Sequence, residues 1–350
     1  MIGGGGEGDP GVEVTASVVI ATMGRPDHLR SCLSHAARQS LRPVETVVVD
    51  ASHDERSYEV VVREFPDVRY IRNPFGAGHL ATSRRIGVDA TSGDVVVFFD
   101  DDAYADADCV ARLAEVYADP AVGGVGGRVR NGIAGEETAG VDEIGRLLAD
   151  GTLIGHFAAD PGTVIEVDHL LGACMSYRRS ALEAIGGIHD HYPGTCLRED
   201  ADISLRVRRP GYRLAFQPAA FVDHVAGPYP KGRRFDVRYD YYAHRNHAVL
   251  LAVTSGSGDR YARANVGVAA RDGLRQLRRS TRAVADRGSP PGARLRAVGG
   301  GVARAGACWA GLAVGMAAGA RARRSPAGRT VRGQTVVEND PRRDITRRPT

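Results

Sequence analysis

An α/β fold built on a mostly parallel, mixed sheet is what the sequence predicts, and three observations carry that expectation. Continuous apolar runs rich in β-branched residues recur along the first hundred positions: "SVVIAT" at 17–22, "TVVVD" at 46–50 and "DVVVFFDDD" at 94–102. Between them lie segments with helical apolar spacing. Strands without polar alternation are buried on both faces, and intervening helices supply the cover. Each run also stops at a polar residue, Thr22, Asp50 and the trio Asp100, Asp101 and Asp102. In sheets of this kind ligands bind beyond the carboxyl ends of the strands, so these side chains are predicted to converge on one site, with a nucleotide as its default occupant.

The elements follow in order. After the first run, the loop "MGRPDH" leads into "LRSCLSHAARQS", where Leu29, Leu33 and Ala36 or Ala37 fall on one helical face. A second helix is expected around "YEVVVREF", a strand at "VRYIRN", and a third helix over about 81–90 after the loop "PFGAGHL". The glycine-rich middle predicts a strand at "GGVGGRV" and a loop or helix through "DEIGRLLADG". "VDHLLGACMSYRRSALEAIGG" reads as a strand, a small-residue turn and a helix closed by Gly186 and Gly187. In "LREDADISLRVRRPGYRLAF" an acidic start precedes an amphipathic helix through Ile203, Leu205 and Val207, a Pro-Gly break and another strand. Glu199 and Asp200 sit where a helix N-terminus favours negative charge.

Composition bounds the rest. With 350 residues, 43% of them hydrophobic, the chain can bury a sizeable core. The net charge of +4 is uneven: from Asp259 onward 20 arginines face 6 acidic residues, which leaves residues 1–258 acidic on balance. Nucleic acid is not the expected partner, since Lys231 is the only lysine and Trp309 the only aromatic residue after Tyr261, where a single-strand binder interleaves several. The basic region instead favours peripheral contact with the inner membrane surface. The uncharged stretch 305–320 is 16 residues long, short of the roughly 20 needed to span a bilayer. Five scattered cysteines without a C-x-x-C pair argue against a disulfide framework or structural zinc. The N-terminal residues show no targeting pattern, so a cytoplasmic protein is expected. The organisation read from these features is a flexible segment 1–14, a domain over 15–254 with halves at 15–120 and 121–254, a basic helical extension over 255–324, and a disordered tail from 325 to 350.

Three adjacent aspartates repel one another and raise each other's pKa, so they call for a counter-cation, and a divalent metal held by hard carboxylate oxygens is the first candidate. A calcium EF-hand is excluded, because the required glycine and glutamate positions hold Ala105 and Ala111.

The ordered set "VVIATMGRPDHL", "VVVDASHD", "GAGHLATSRRIGVDATSGDVVVFFDDD", "LLGACMSYRRSALEAIGG", "LREDADISLRVRRPGYRL" and "DYYAHRNH" resembles the family-two inverting glycosyltransferases of GT-A fold, over roughly residues 15–250. The resemblance implies a nucleotide-sugar half and an acceptor half, a Mn²⁺ or Mg²⁺ cofactor, and transfer of a sugar from a nucleotide diphosphate donor, most commonly a UDP-sugar. It also implies site residues. Thr22 and Asp50 would line the nucleobase and Arg84 would face the base or diphosphate. Asp102 would hold the metal, Asp100 or Asp101 would bond the ribose or support the metal shell, and His224 would complete that shell. Asp200 would be the catalytic base, with Glu199 supporting it. The acceptor would be a glycan, a lipid-linked glycan or a small natural product, with bacterial cell-envelope or polysaccharide synthesis as the setting. The sequence departs from the family in having Arg85 where asparagine is common and Val49 where a second acidic residue often stands.

Two other functions are open at this level. A degenerate transferase acting as a non-catalytic nucleotide-sugar-binding scaffold would keep the fold. "FFDDDAY" also resembles the nucleophile motif of haloacid-dehalogenase-like phosphatases, whose scheme needs a downstream lysine that only Lys231 offers.

Overall fold

The apolar runs form the centre of one mixed sheet. The computed structural model describes residues 14–225, 236–256, 259–285, 288, 290–324 and 338–339. The first half contains β1 (Ala16–Thr22), α1 (Pro26–Ala36), β2 (Glu45–Asp50), α2 (Arg56–Glu64), β3 (Arg69–Arg72), α3 (Leu80–Asp89), β4 (Val95–Asp100), β5 (Ala103–Ala105) and α4 (Cys109–Val116). The second contains β6 (Val122–Arg130), the short ribbon strands β7 (Arg146–Leu147) and β8 (Leu153–Ile154), β9 (Ile165–Val167), β10 (Cys174–Arg178), α5 (Arg179–Ala184), α6 (Glu199–Val207) and β11 (Arg213–His224). Three long helices follow, α7 (Val237–Thr254), α8 (Arg260–Ala285) and α9 (Pro291–Arg324), and then β12 (Glu338–Asn339).

The strand order is β12-β3-β2-β1-β4-β10-β6-β11-β5, with β9 paired to β11. Strands β3, β2, β1 and β4 are mutually parallel. Their register puts Thr22 opposite Asp50 and Ala21 opposite Asp100, so the polar strand ends lie side by side at one edge. Val18, Ile20, Val48 and Phe98 are fully buried in these strands, each worth about 1.5–3 kcal/mol against exposure. Helix α1 seals one face with Leu29, Cys32 and Leu33, and Pro26 opens it at the position where a missing N–H costs nothing.

β10 joins the halves by running antiparallel to both β4 and β6. The predicted strand "GGVGGRV" lies within β6, and Gly186 and Gly187 end α5 with positive φ. The "DEIGRLLADG" segment forms a 3-10 turn at Val141–Glu143 and the β7–β8 ribbon. The strand expected after Gly211 runs farther than its apolar core, to His224, because its last residues pair with β5.

The C-terminal region is helical, as the fold class predicts. The expected flexible segment 1–14 and disordered tail 325–350 lie almost wholly outside the described residues. Within the second, Glu338 and Asn339 pair with Ile71 and Tyr70 on β3, whose open edge offers unpaired backbone groups. Helices α8 and α9 form this extension, and α9 packs against α7. Gly311, Gly315 and Gly319 let α9 lie directly on α7, and a Cβ at these positions would overlap Tyr241 O, Arg245 O and Ala252.

Two outcomes follow for stability. Gly315→Leu is expected to lower unfolding free energy by about 1–3 kcal/mol through overpacking, whereas Gly299→Ala, with open space around it, is expected to raise it by about 0.5–1 kcal/mol through helix propensity; denaturant midpoints measure both. Burial pushes His247 down to about 3, aided by the nearby Arg198 charge, and His189 down to about 4, aided by Arg206. Both are neutral when folded and bind protons more readily when unfolded. Their contribution is therefore complete above the ordinary value of 6.5 and is lost as pH falls from there toward 3–4. Denaturation curves from pH 7 to 4 should show stability falling by up to about 1.4 kcal/mol per pH unit for each histidine, and His247→Gln should flatten that slope.

Candidate active site

β4 ends at Asp100 and the chain turns at Asp101 and Asp102, which parts the three aspartates. Asp101 points inward and is fully buried. It accepts hydrogen bonds from the Thr22 hydroxyl at 2.6 Å and Arg25 Nε at 3.2 Å, and it also pairs with Arg25 Nη2. Burial pushes its carboxyl up to about 7, while Arg25 and Thr22 pull the other way. Asp102 accepts from Arg25 Nη1 at 2.7 Å, and its other oxygen lies 3.4 Å from His224 Nε2. Burial works against the Arg25 charge, and the three carboxylates outweigh it.

Asp100, Asp102 and His224 each offer a ligand atom within 4.8 Å of the others. The β5–β11 pairing, which sets His224 opposite Ala103, brings the histidine there. His224 Nδ1 lies 3.3 Å from Asn131 Oδ1. With the proton on Nδ1 and donated to that oxygen, Nε2 presents its lone pair to the cluster, the tautomer a metal requires. Two carboxylates and an imidazole fit a divalent ion such as Mn²⁺, which takes both oxygen and nitrogen donors, better than Mg²⁺, which favours oxygen alone.

A buried polar chain leads from this cluster to the predicted base. The Arg84 guanidinium is 2% exposed, donates to Asp100 Oδ1 at 2.8 Å and to Gly172 O at 3.0 Å, and pairs closely with Glu199. Gly172 N–H donates in turn to Asp200 Oδ2 at 3.1 Å. A Cβ on residue 172 would sit 2.6 Å from Arg84 Nη2, so only glycine admits the guanidinium. Asp200 is the second residue of α6 and its second oxygen accepts from Ala201 N–H at 2.8 Å. The residue before the helix, Arg198, holds φ at 81°, in the left-handed region, and ends a loop in which Gly194 and Cys196 also have positive φ. Such backbone persists only where its surroundings over-determine it. Buried His169 lies nearby: burial lowers its pKa, Asp200 works to raise it, and its Nε2 donates to Ile154 O at 3.0 Å.

Several expected donor contacts are spent inside the protein. Thr22 is engaged by Asp101. The Asp50 carboxylate is fully buried, accepting from Ser52 N–H at 2.8 Å, the Ser52 hydroxyl and Tyr70 OH at 2.8 Å. The Ser52 hydroxyl accepts from Gly24 N–H at 2.7 Å, so Asp50 orders the loop after β1 through Ser52. Asp101, expected toward the ribose or metal shell, is buried against Thr22 and Arg25. Arg84, expected to face the base or diphosphate, is buried between Asp100, Glu199 and the Gly172 carbonyl, where it is the shared counter-charge of the two carboxylates. Arg25, Gly172 and Arg198 were not singled out by the sequence, although Arg25 stands in the loop directly after a strand end.

Removing one partner of a buried ion pair strands the other, at a cost of about 3–5 kcal/mol. Arg84→Met is expected to destabilise the fold by that amount, Glu199→Gln by less, and the double variant by clearly less than the sum. Denaturant unfolding of the four proteins measures the coupling, and strict additivity would show that the two side chains act separately.

With the geometry in hand, the relatives of the chain can be placed. Residues 17–186 match the model of the family described as glycosyl transferase family 2. Proteins named pre-mycofactocin glycosyltransferase, from two strains of Mycobacterium tuberculosis, are 26% identical over 212 residues, or 59% of this chain and 42% of theirs. The chain thus spans under half the length of these curated relatives. A mannosyltransferase from Pyrobaculum calidifontis, solved with GDP-Man and Mn²⁺, has a TM-score of 0.51 at 19% identity over 91% of this chain and 89% of its own. GalNAc-T7, solved with UDP, GalNAc and Mn²⁺, has a TM-score of 0.52 at 18% identity over 69% and 48%. At these identities the two structures speak for the fold alone, a GT-A fold, and the sequence likeness to glycosyl transferase family 2 extends over residues 17–186.

Proposed function

We propose that the protein is a metal-dependent inverting glycosyltransferase that moves a sugar from a nucleotide diphosphate donor, a UDP-sugar, to an acceptor hydroxyl. The observation that carries this reading is the continuous polar chain with Asp100, Asp102 and His224 at one end and Asp200 at the other. The donor lies at the carboxyl edge of β1, β2 and β4, over the loop that Asp50 and Ser52 hold in place. Asp102 and His224, with Asp100 beside them, would hold Mn²⁺ or Mg²⁺. Bound there, the ion neutralises the negative charge that grows on the departing diphosphate.

Asp200 takes the proton from the acceptor hydroxyl as that oxygen attacks the anomeric carbon. The bond from the anomeric carbon to the diphosphate oxygen breaks on the opposite side, and its electrons leave with the nucleotide. One carboxylate acting once gives one displacement and inversion. Gly172 N–H holds one Asp200 oxygen and Ala201 N–H the other, so the carboxylate meets its substrate in a set orientation. Arg84 and Glu199 keep that carboxylate in register with Asp100.

A small natural product is the favoured acceptor, on the strength of the relatives' name, and a lipid-linked glycan is the second. The arginine-rich C-terminal helices support an acceptor met at the inner membrane surface.

Calorimetry and turnover across a panel of UDP- and GDP-sugars, with and without Mn²⁺, test the reading. Asp102→Ala is expected to abolish metal-dependent donor binding, and Asp200→Asn to preserve it while turnover falls about 10²–10⁴-fold. Donor binding indifferent to both metal and Asp102, or no donor binding at all, would overturn the assignment in favour of a scaffold.

A further inference from the structure

Of the fourteen large hydrophobic residues left exposed among the described residues, eight lie on α8 and α9. On α9 four of them, Leu295, Val302, Trp309 and Met316, recur every seventh residue and so form one ridge, exposed by 74%, 53%, 41% and 49%. The opposite face of α9 is occupied: Gly311, Gly315 and Gly319 lie on α7, and Gly301 lies against Ser280 of α8. Where Trp309 borders Gly273 the ridge meets α8, which adds Val266 and Leu274, so the apolar surface runs across both helices.

Charge decides what covers it. The two helices carry 13 arginines and a single acidic residue, Asp272. Arg278, Arg279 and Arg282 form no ion pair among the described residues, and Arg321, Arg323 and Arg324 close the C-terminal end of α9. A second copy docked face to face would set two such arginine fields against each other, whereas anionic lipid headgroups satisfy them. α9 is long and apolar enough to cross a membrane by length and composition. Yet one side of it is held by α7, and Arg304 pairs with Asp240 just before the uncharged stretch 305–320. A helix with one face held by protein offers a bilayer only its other face, so α9 would meet a membrane side-on.

We infer that the α8–α9 hairpin is a membrane-docking surface that lies flat on an anionic phospholipid bilayer, inserting the Leu295–Val302–Trp309–Met316 ridge among the acyl chains while the flanking arginines contact phosphates. The inference is independent of the catalytic assignment.

Trp309 is the only tryptophan in the chain and sits on the ridge, so it reports insertion without a label. The full chain is mixed with vesicles containing about one-third phosphatidylglycerol, and with pure phosphatidylcholine vesicles. A blue-shifted Trp309 emission, quenching by brominated acyl chains and co-flotation with the anionic vesicles alone are expected. Val302→Asp with Met316→Asp should reduce flotation at least tenfold, and Arg278→Glu with Arg279→Glu should reduce it and its salt sensitivity, with thermal melts and Mn²⁺-dependent donor binding unchanged. Flotation that survives the aspartates, or that occurs without quenching, would overturn insertion. So would a chain that ignores both vesicles and sediments as a dimer that Val302→Asp dissociates, which would make the ridge a contact between copies.

Discussion

One guanidinium, that of Arg84, determines how the rest of the site is arranged. Removed from water, it requires negative partners on more than one side, and they come from three distant segments: Asp100 at the end of β4, Glu199 at the start of α6 and the Gly172 carbonyl between them. A charge so placed is strongly directional, because any displacement of a partner leaves an ion unsolvated in a low-dielectric setting. The separation between the donor-binding strand ends and the candidate base is therefore set by a charge rather than by apolar contact alone. Arg25 does the same service one layer away, tying Asp101 to Asp102. The question posed by three adjacent aspartates is thus answered twice, by two internal arginines for the buried oxygens and by the grouping of Asp100, Asp102 and His224, whose donors suit a divalent ion.

Much of this architecture was legible in the sequence, and the reason is periodicity. Buried parallel strands lack polar alternation, so β1, β2 and β4 stand out, and their shared stopping points at Thr22, Asp50 and Asp100 place one edge of the sheet. Asp200 and His224 are singled out by their positions within ordered motifs rather than by local spacing. Side-chain direction was not legible. Whether Asp50 faces a ligand depends on Ser52 and on Tyr70, twenty residues away. The role of Arg84 depends on Glu199, 115 residues away. Neither partnership leaves a trace in local composition. The glycines of α9 read as a helix of low propensity, and their purpose appears only once α7 is laid against them.

The same partnerships separate two kinds of residue that a motif-based reading merges. Asp102 and His224 fall in the candidate metal cluster and Asp200 is the proposed base. Thr22, Asp50 and Asp101 are engaged with protein groups, Thr22 with Asp101 and Asp50 with Ser52 and Tyr70. A change in the second group is transmitted through these internal hydrogen bonds.

The position of β10 has a mechanical consequence. By pairing with β4 on one side and β6 on the other, it makes the nucleotide half and the acceptor half parts of a single sheet, stitched by backbone hydrogen bonds throughout. A two-lobed enzyme whose lobes meet at a linker opens and shuts like a jaw. Here the two sides are planks of one deck, and the distance between them is set by the spacing of the strands beneath. Adaptation to a different donor or acceptor is thereby left to the loops at the deck's edge, which can be recut without altering that span.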